Sequence, residues 1–242
     1  MKSKLLIFAM YSITLALVFS SCKKDSGDTQ YVCTTCNSTP EGLAANDNLA
    51  KGVYKGVVIG SSGTIKFDIN NSGNTITATL TLDGQTATLT SQVSVPPSGT
   101  YMSPFTGTLN GQPVSVTFSV NFDGTSPTIT TSNIPGHPNA VFIIAKETST
   151  VLVRCFEGTY STNEPENGTF NIVVSTILKG WKGKSRETGS TTTKDIDGSY
   201  VNNILYFGTG TTTPIATING DSFSGSFFDG SYTVTVNGQR KS

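Results

Sequence analysis

From about Lys51 onward the chain alternates apolar and polar residues with a period of two. In Ile76-Thr-Ala-Thr-Leu-Thr-Leu82 the even positions are apolar and the odd ones threonine, so one face of an extended strand turns inward and the other stays wet. The same alternation, rich in β-branched residues, marks Gly63 to Ile69, Thr75 to Leu82, Val114 to Val120, Phe170 to Ser175 and Tyr232 to Val236 as strands. The runs are punctuated by Asp83-Gly84, Asn110-Gly111, Asp123-Gly124, Asn167-Gly168, Asp197-Gly198, Asn219-Gly220, Asp229-Gly230 and Asn237-Gly238. Such dipeptides accept the positive φ angles of hairpin turns. No stretch after Lys51 keeps a 3.6-residue period, and only Thr39 to Leu49 has room for a short helix or turn before the first strand. The pattern predicts an all-β antiparallel meander, packed as a barrel or a sandwich. Closure removes the exposed edges of a long meander and favours the barrel.

Gly52-Val53-Tyr54 followed by Gly63-Thr64-Ile65-Lys66-Phe67 recurs as Gly158-Thr159-Tyr160 followed by Gly168-Thr169-Phe170-Asn171-Ile172. The recurrence points to two similar halves of roughly 100 residues that split near 148–154.

The first thirty residues follow a different logic. Lys2 and Lys4 precede an apolar run from Leu5 to Phe19, and Ser20-Ser21-Cys22 follows. Charge, apolar stretch and small residues in that order spell a secretory signal, and the run falls short of the roughly 20 apolar residues that span a bilayer. The expected organisation is a signal peptide over 1–21, a lipidated tether carrying a Cys-x-x-Cys pair over 22–50, and an all-β domain over 51–242. Two small residues directly before Cys22 resemble the lipobox of bacterial lipoproteins, with Phe19 where leucine is usual; the resemblance implies that Cys22 carries the lipid. Ser21-Cys22-Lys23-Lys24-Asp25 is similar to the start of lipoproteins of the Bacteroidetes group. That likeness implies attachment to the outer membrane through the lipid, with display on the cell surface. The Gly-x-Tyr and Gly-Thr-hydrophobic strand starts are similar to uncharacterised β-meander lipoproteins of the same group, a resemblance that brings no activity with it.

The 242 residues include 16 Lys and Arg and 16 Asp and Glu. Removing residues 1–21 takes away Lys2 and Lys4 and leaves a slightly acidic chain, which argues against a nucleic-acid partner. In an oxidising compartment Cys33 and Cys36 pair with each other, or one of them pairs with Cys155. A zinc site of these three cysteines with His137 is possible by arithmetic, and a disulfide is the better reading. His137, the single histidine, stands in Pro135-Gly136-His137-Pro138-Asn139, a rigid loop unless the fold brings a nucleophile or further ligands to the ring. Asp195 and Asp197 share one face of a strand that runs into an expected turn at Gly198, which reads as a hairpin end rather than a calcium loop.

Lys179, Lys182, Lys184 and Arg186 concentrate basic charge around Trp181, the single tryptophan. An aromatic plate with adjacent donors can stack on a sugar ring or meet an anionic surface. The alternative is a solvated hairpin whose tryptophan plugs the core. The expected role is a non-enzymatic envelope protein, without metal or cofactor, that binds a glycan or a protein or serves structurally. Two other readings stand beside it: a glycan hydrolase with two carboxylates, and a barrel that holds a small apolar ligand in its interior.

Overall fold

A computed structural model describes residues 30–242. The expected signal peptide and Cys22 lie outside the described residues. Among the described residues sixteen strands follow one another, and one 3-10 turn, Ala44–Asn46, precedes them. The first eight are β1 (Gly52–Ile59), β2 (Gly63–Ile69), β3 (Ile76–Leu82), β4 (Gln85–Thr90), β5 (Tyr101–Leu109), β6 (Gln112–Val120), β7 (Thr128–Asn133) and β8 (Val141–Glu147). The second eight are β9 (Arg154–Thr162), β10 (Asn167–Ser175), β11 (Gly180–Glu187), β12 (Lys194–Val201), β13 (Ile204–Phe207), β14 (Pro214–Asn219), β15 (Ser222–Phe228) and β16 (Thr233–Arg240).

Each set of eight is an antiparallel up-and-down meander whose last strand returns to its first. The second closes fully, because β16 pairs with β9. The first runs β7-β6-β5-β4-β3-β2-β1-β8 and is nearly closed: β8 pairs with β1, and the seam lies between β7 and β8.

The duplicated motifs open both meanders, but not in equivalent register. Tyr54 lies opposite Phe67 in the first barrel, whereas Tyr160 lies opposite Gly168 in the second. The similarity therefore holds for β2 and β10, where Ile65 and Phe67 match Phe170 and Ile172 as inward residues.

Alternation fills both barrels. Tyr54, Ile65, Phe67, Leu80, Leu89, Tyr101, Phe105 and Phe118 pack the first, and its aromatic centre includes Phe67 stacked on Phe118 with ring centroids 4.4 Å apart. Phe156, Phe170, Ile172, Trp181, Leu205, Ile215, Ile218 and Phe223 pack the second. The interiors are thus cores of side chains. Side chains occupy their centres, and the open end of the second barrel has a depression of about 320 Å³ over Phe170, Phe207 and Phe227.

Three of the Asn-Gly and Asp-Gly dipeptides are not turns. Gly168, Gly198 and Gly238 sit within β10, β12 and β16, where a Cβ would collide with the Arg186 carbonyl, the Tyr206 carbonyl and the Phe223 ring respectively. These glycines answer to space. Asn202 and Asn203, both at positive φ, make the tight turn between β12 and β13 instead.

The barrels pack side by side through their outer walls. β1 is buried along its whole length, because Tyr54 and Val58 point into the first barrel while Val57 and Ile59 point at Val153, Cys155 and Val173 of the second. Among these apolar residues Lys55 meets Glu147 at 3.0 Å and Glu41 at 2.9 Å, and Glu147 also accepts hydrogen bonds from the backbone N–H groups of Glu41 and Val153.

Residues 30–50 are not a loose tether. Gln30 and Cys33 bond to the β14–β15 turn at Asn219 and Asp221, Tyr31 donates to the Arg240 carbonyl, and Arg240 donates to the Asn37 carbonyl. Farther on, Leu43 and Asn46 bond Asn71 of the first barrel. The segment is a strap across the base of both barrels, at the end opposite the β1–β2, β7–β8 and β11–β12 loops.

Candidate functional site: the cleft between the barrels

The expected binding patch around Trp181 does not form. Strand β11 keeps strict alternation, so Trp181 points inward and is fully buried, its indole N–H donating to the Tyr206 carbonyl at 3.1 Å. Lys182, Lys184 and Arg186 point outward. Lys182 and Lys184 lie opposite Asp197 and Asp195 on β12, and Lys184 forms an ion pair with Asp195. The acidic pair is therefore neither a hairpin end nor a calcium loop but the counter-charge of the basic strand. Lys179 sits apart in the turn before β11, at a positive φ of 55°.

Cys33 and Cys36 form a disulfide in the strap, and Cys155 is a free thiol buried between the barrels. Burial pushes that thiol up to about 12. His137 belongs to the β7–β8 loop at the other end, so the four residues of the arithmetical zinc site do not converge. No group of three or more His, Cys, Asp and Glu that could hold a metal occurs among the described residues.

His137 instead acquires partners that the sequence does not show. Its Nδ1 lies 2.7 Å from the Ser61 hydroxyl, and its Nε2 lies 3.4 Å from an Asp83 carboxylate oxygen. Ser61 comes from the β1–β2 loop, Asp83 from the β3–β4 turn and His137 from the β7–β8 loop; antiparallel connections bring all three to one end of the first barrel. Next to them Ser62 accepts nothing from Asp83 but donates its backbone N–H to that carboxylate at 3.3 Å, and its hydroxyl donates to Glu157 of the second barrel at 2.6 Å. Burial raises the Glu157 carboxyl above its ordinary range, and Asp83 adds to the effect against the Ser62 hydrogen bond and Lys241.

The wall facing His137 is built from β10 and β11. Arg186 is only 9% exposed, and its Nη2 donates to the Asn139 carbonyl across the cleft. Its Nε is buried without a hydrogen-bond partner, as is the hydroxyl of Thr169, the residue directly opposite on β10. Arg186 takes part in none of the ion pairs among the described residues. Burial lowers its pKa. The space between these walls consists of two adjoining depressions of about 340 and 370 Å³ that share Ser61 and Thr169.

The cleft can thus hold a polar molecule among a hydroxyl, an imidazole, a guanidinium and two unlike carboxyl groups. Sequence reasoning singled out His137 and Arg186 but not Ser61, Ser62, Asp83, Glu157 or Thr169, because their meeting depends on how one barrel packs on the other. No protein-family model, curated protein sequence or solved structure matches the chain.

Proposed function

We propose that this chain is an exported, lipid-anchored envelope protein that binds a polar solute in the cleft between its two barrels. The observation that carries the binding role is the cleft itself: with both barrels filled, polar side chains from both halves face open space there. The N-terminal signal features and Cys22 support export and anchoring. Gln30 sits at the base of the second barrel, and the eight residues from Cys22 to Gln30 reach roughly 28 Å at most. An anchor at Cys22 holds that base near the membrane and turns the cleft outward.

Two measurements test the reading. Labelling of cells with a palmitate analogue should mark the wild-type protein and not Cys22→Ala; equal labelling of both contradicts the anchor. Addition of soluble envelope glycans should raise the thermal midpoint of the purified full chain, since a ligand at about 100 times its Kd stabilises by about 2.7 kcal/mol.

A second reading, glycan hydrolysis, is favoured by one contact set. Ser62 bonds both Glu157, whose carboxyl is raised by burial, and Asp83, which is exposed. Two carboxyl groups in unlike surroundings are the arrangement of a glycosidic acid and its ionised partner. Release of reducing ends from envelope polysaccharides that is lost in Glu157→Gln supports it; a panel without turnover removes it.

A further inference from the structure

We propose that the solute bound in the cleft carries a single carboxylate, which pairs with Arg186, on a small polyhydroxylated body of the uronate type. This rests on the cleft being the binding site. An arginine only 9% exposed normally faces a carboxylate, because desolvating a charge without a partner is costly. Arg186 has no such partner: one nitrogen bonds a backbone carbonyl, another is orphaned, and the nearest side chain on the adjoining strand, Thr169, has an orphaned hydroxyl of its own.

Both residues lie on the wall of the 340 Å³ depression, so an anion entering from solvent meets them together with Ser61 and His137. The charge balance selects the anion. Arg186 is the one Lys or Arg that lines this depression, and Glu187 lines it as well, which suits a monoanion and repels a dianionic phosphate group. The rest of the lining selects the body. No Phe, Tyr or Trp lines this depression, while Asn139, Thr188 and Ser190 supply amide, hydroxyl and backbone groups, so recognition proceeds through hydrogen bonds to hydroxyls rather than through stacking on a large ring.

The backbone is shaped for the guanidinium. Gly60 has φ +83°, and a Cβ there would run into Arg186. The loop that bears Ser61 therefore closes directly over the guanidinium, tying the serine and the arginine into one site.

The test uses the full chain in detergent, with galacturonate, galactose and inorganic phosphate as probes and the thermal midpoint as readout. Galacturonate at about 100-fold excess over its Kd should raise the midpoint by roughly 5 °C or more, while galactose and phosphate at equal concentration leave it within about 1 °C. Arg186→Met should lose the galacturonate response and have an unliganded midpoint no lower than wild type, since the substitution removes a buried unpaired charge and keeps the aliphatic stem. Arg186→Lys, which keeps the charge, should retain part of the response.

Equal shifts with galactose and galacturonate overturn the carboxylate and leave the cleft as the binding site. A galacturonate shift that survives Arg186→Met overturns the cleft as its site. No shift with galacturonate, or a shift with phosphate instead, overturns the proposal. An Arg186→Met midpoint several degrees below wild type assigns the arginine to the fold and overturns it as well.

Discussion

The side-chain amide of Asn171, on the outer wall of the second barrel, donates to the Val58 carbonyl of the first at 2.6 Å. The same nitrogen reaches the Ser61 carbonyl at 3.2 Å, and its Oδ1 accepts the Gly158 N–H at 2.9 Å. One buried amide therefore fixes the distance between the barrels and the position of the cleft serine. Asn171→Leu leaves the Gly158 N–H without its partner and should cost about 2 to 3 kcal/mol, read from chemical denaturation. A loss below about 0.5 kcal/mol would show that the barrels are held without it.

Lys55 and Glu147 place an ion pair in the apolar interface, each about 1% exposed. Breaking a buried pair from one side strands the other charge. Lys55→Met should destabilise the protein by about 3 to 5 kcal/mol, measured by urea unfolding. A cost near that of a surface pair, below about 1 kcal/mol, would contradict the burial of this network.

The cysteines should respond unequally. The Cys155 thiol, buried and pushed up to about 12, is held as the unreactive thiol form. Peptide mass spectrometry after iodoacetamide treatment should find it unmodified in the native protein and alkylated in denaturant. The Cys33–Cys36 disulfide closes a loop so short that its reduction should cost no more than about 2 kcal/mol, leaving the circular dichroism spectrum unchanged. Native alkylation of Cys155 would mean that the interface opens.

Lys146 gives a pH signature. Burial lowers its ammonium to about 8, against the pull of Asp47 and Asp123 in the other direction. An unfolded lysine titrates near 10.4, so between about pH 8 and 10.4 the unfolded chain binds more protons and stability from this group rises with pH. Below about pH 8 the penalty stands in full. The raised Cys155 thiol acts oppositely above about pH 8.5, so the effect is isolated as the stability of wild type minus that of Lys146→Met. That difference should grow from pH 8 to pH 10; a flat or falling difference contradicts the shift.

Much of the fold was legible in period-two alternation, and β2 and β3 fall where the pattern places them. The same rule, applied to Lys179-Gly-Trp181-Lys182-Gly-Lys184-Ser-Arg186, puts the tryptophan on the opposite face from Lys182, Lys184 and Arg186. Neighbours along the chain are not neighbours on a strand face, so the basic residues around Trp181 in sequence do not surround it in space. β1 also carried a signal: Val57-Val58-Ile59 is apolar on both faces, as in a strand covered on two sides. The cleft was not legible. Ser61, Asp83, His137, Glu157 and Arg186 come from five separate strands or loops of two barrels, and no local pattern encodes how two outer walls dock. The glycine dipeptides misled for a related reason, since Gly198 and Gly238 are set by cross-strand neighbours rather than by turns.

The most direct test of the central claim, that solute binds between the barrels, is amide hydrogen exchange of the full chain with and without a glycan or uronate that raises its thermal midpoint. Binding between the barrels slows exchange in 60–62, 136–140 and 186–190 and leaves the open end of the second barrel unchanged. Protection confined to 160–166, 194–196 and 227–234 would move the site to that open end and contradict it.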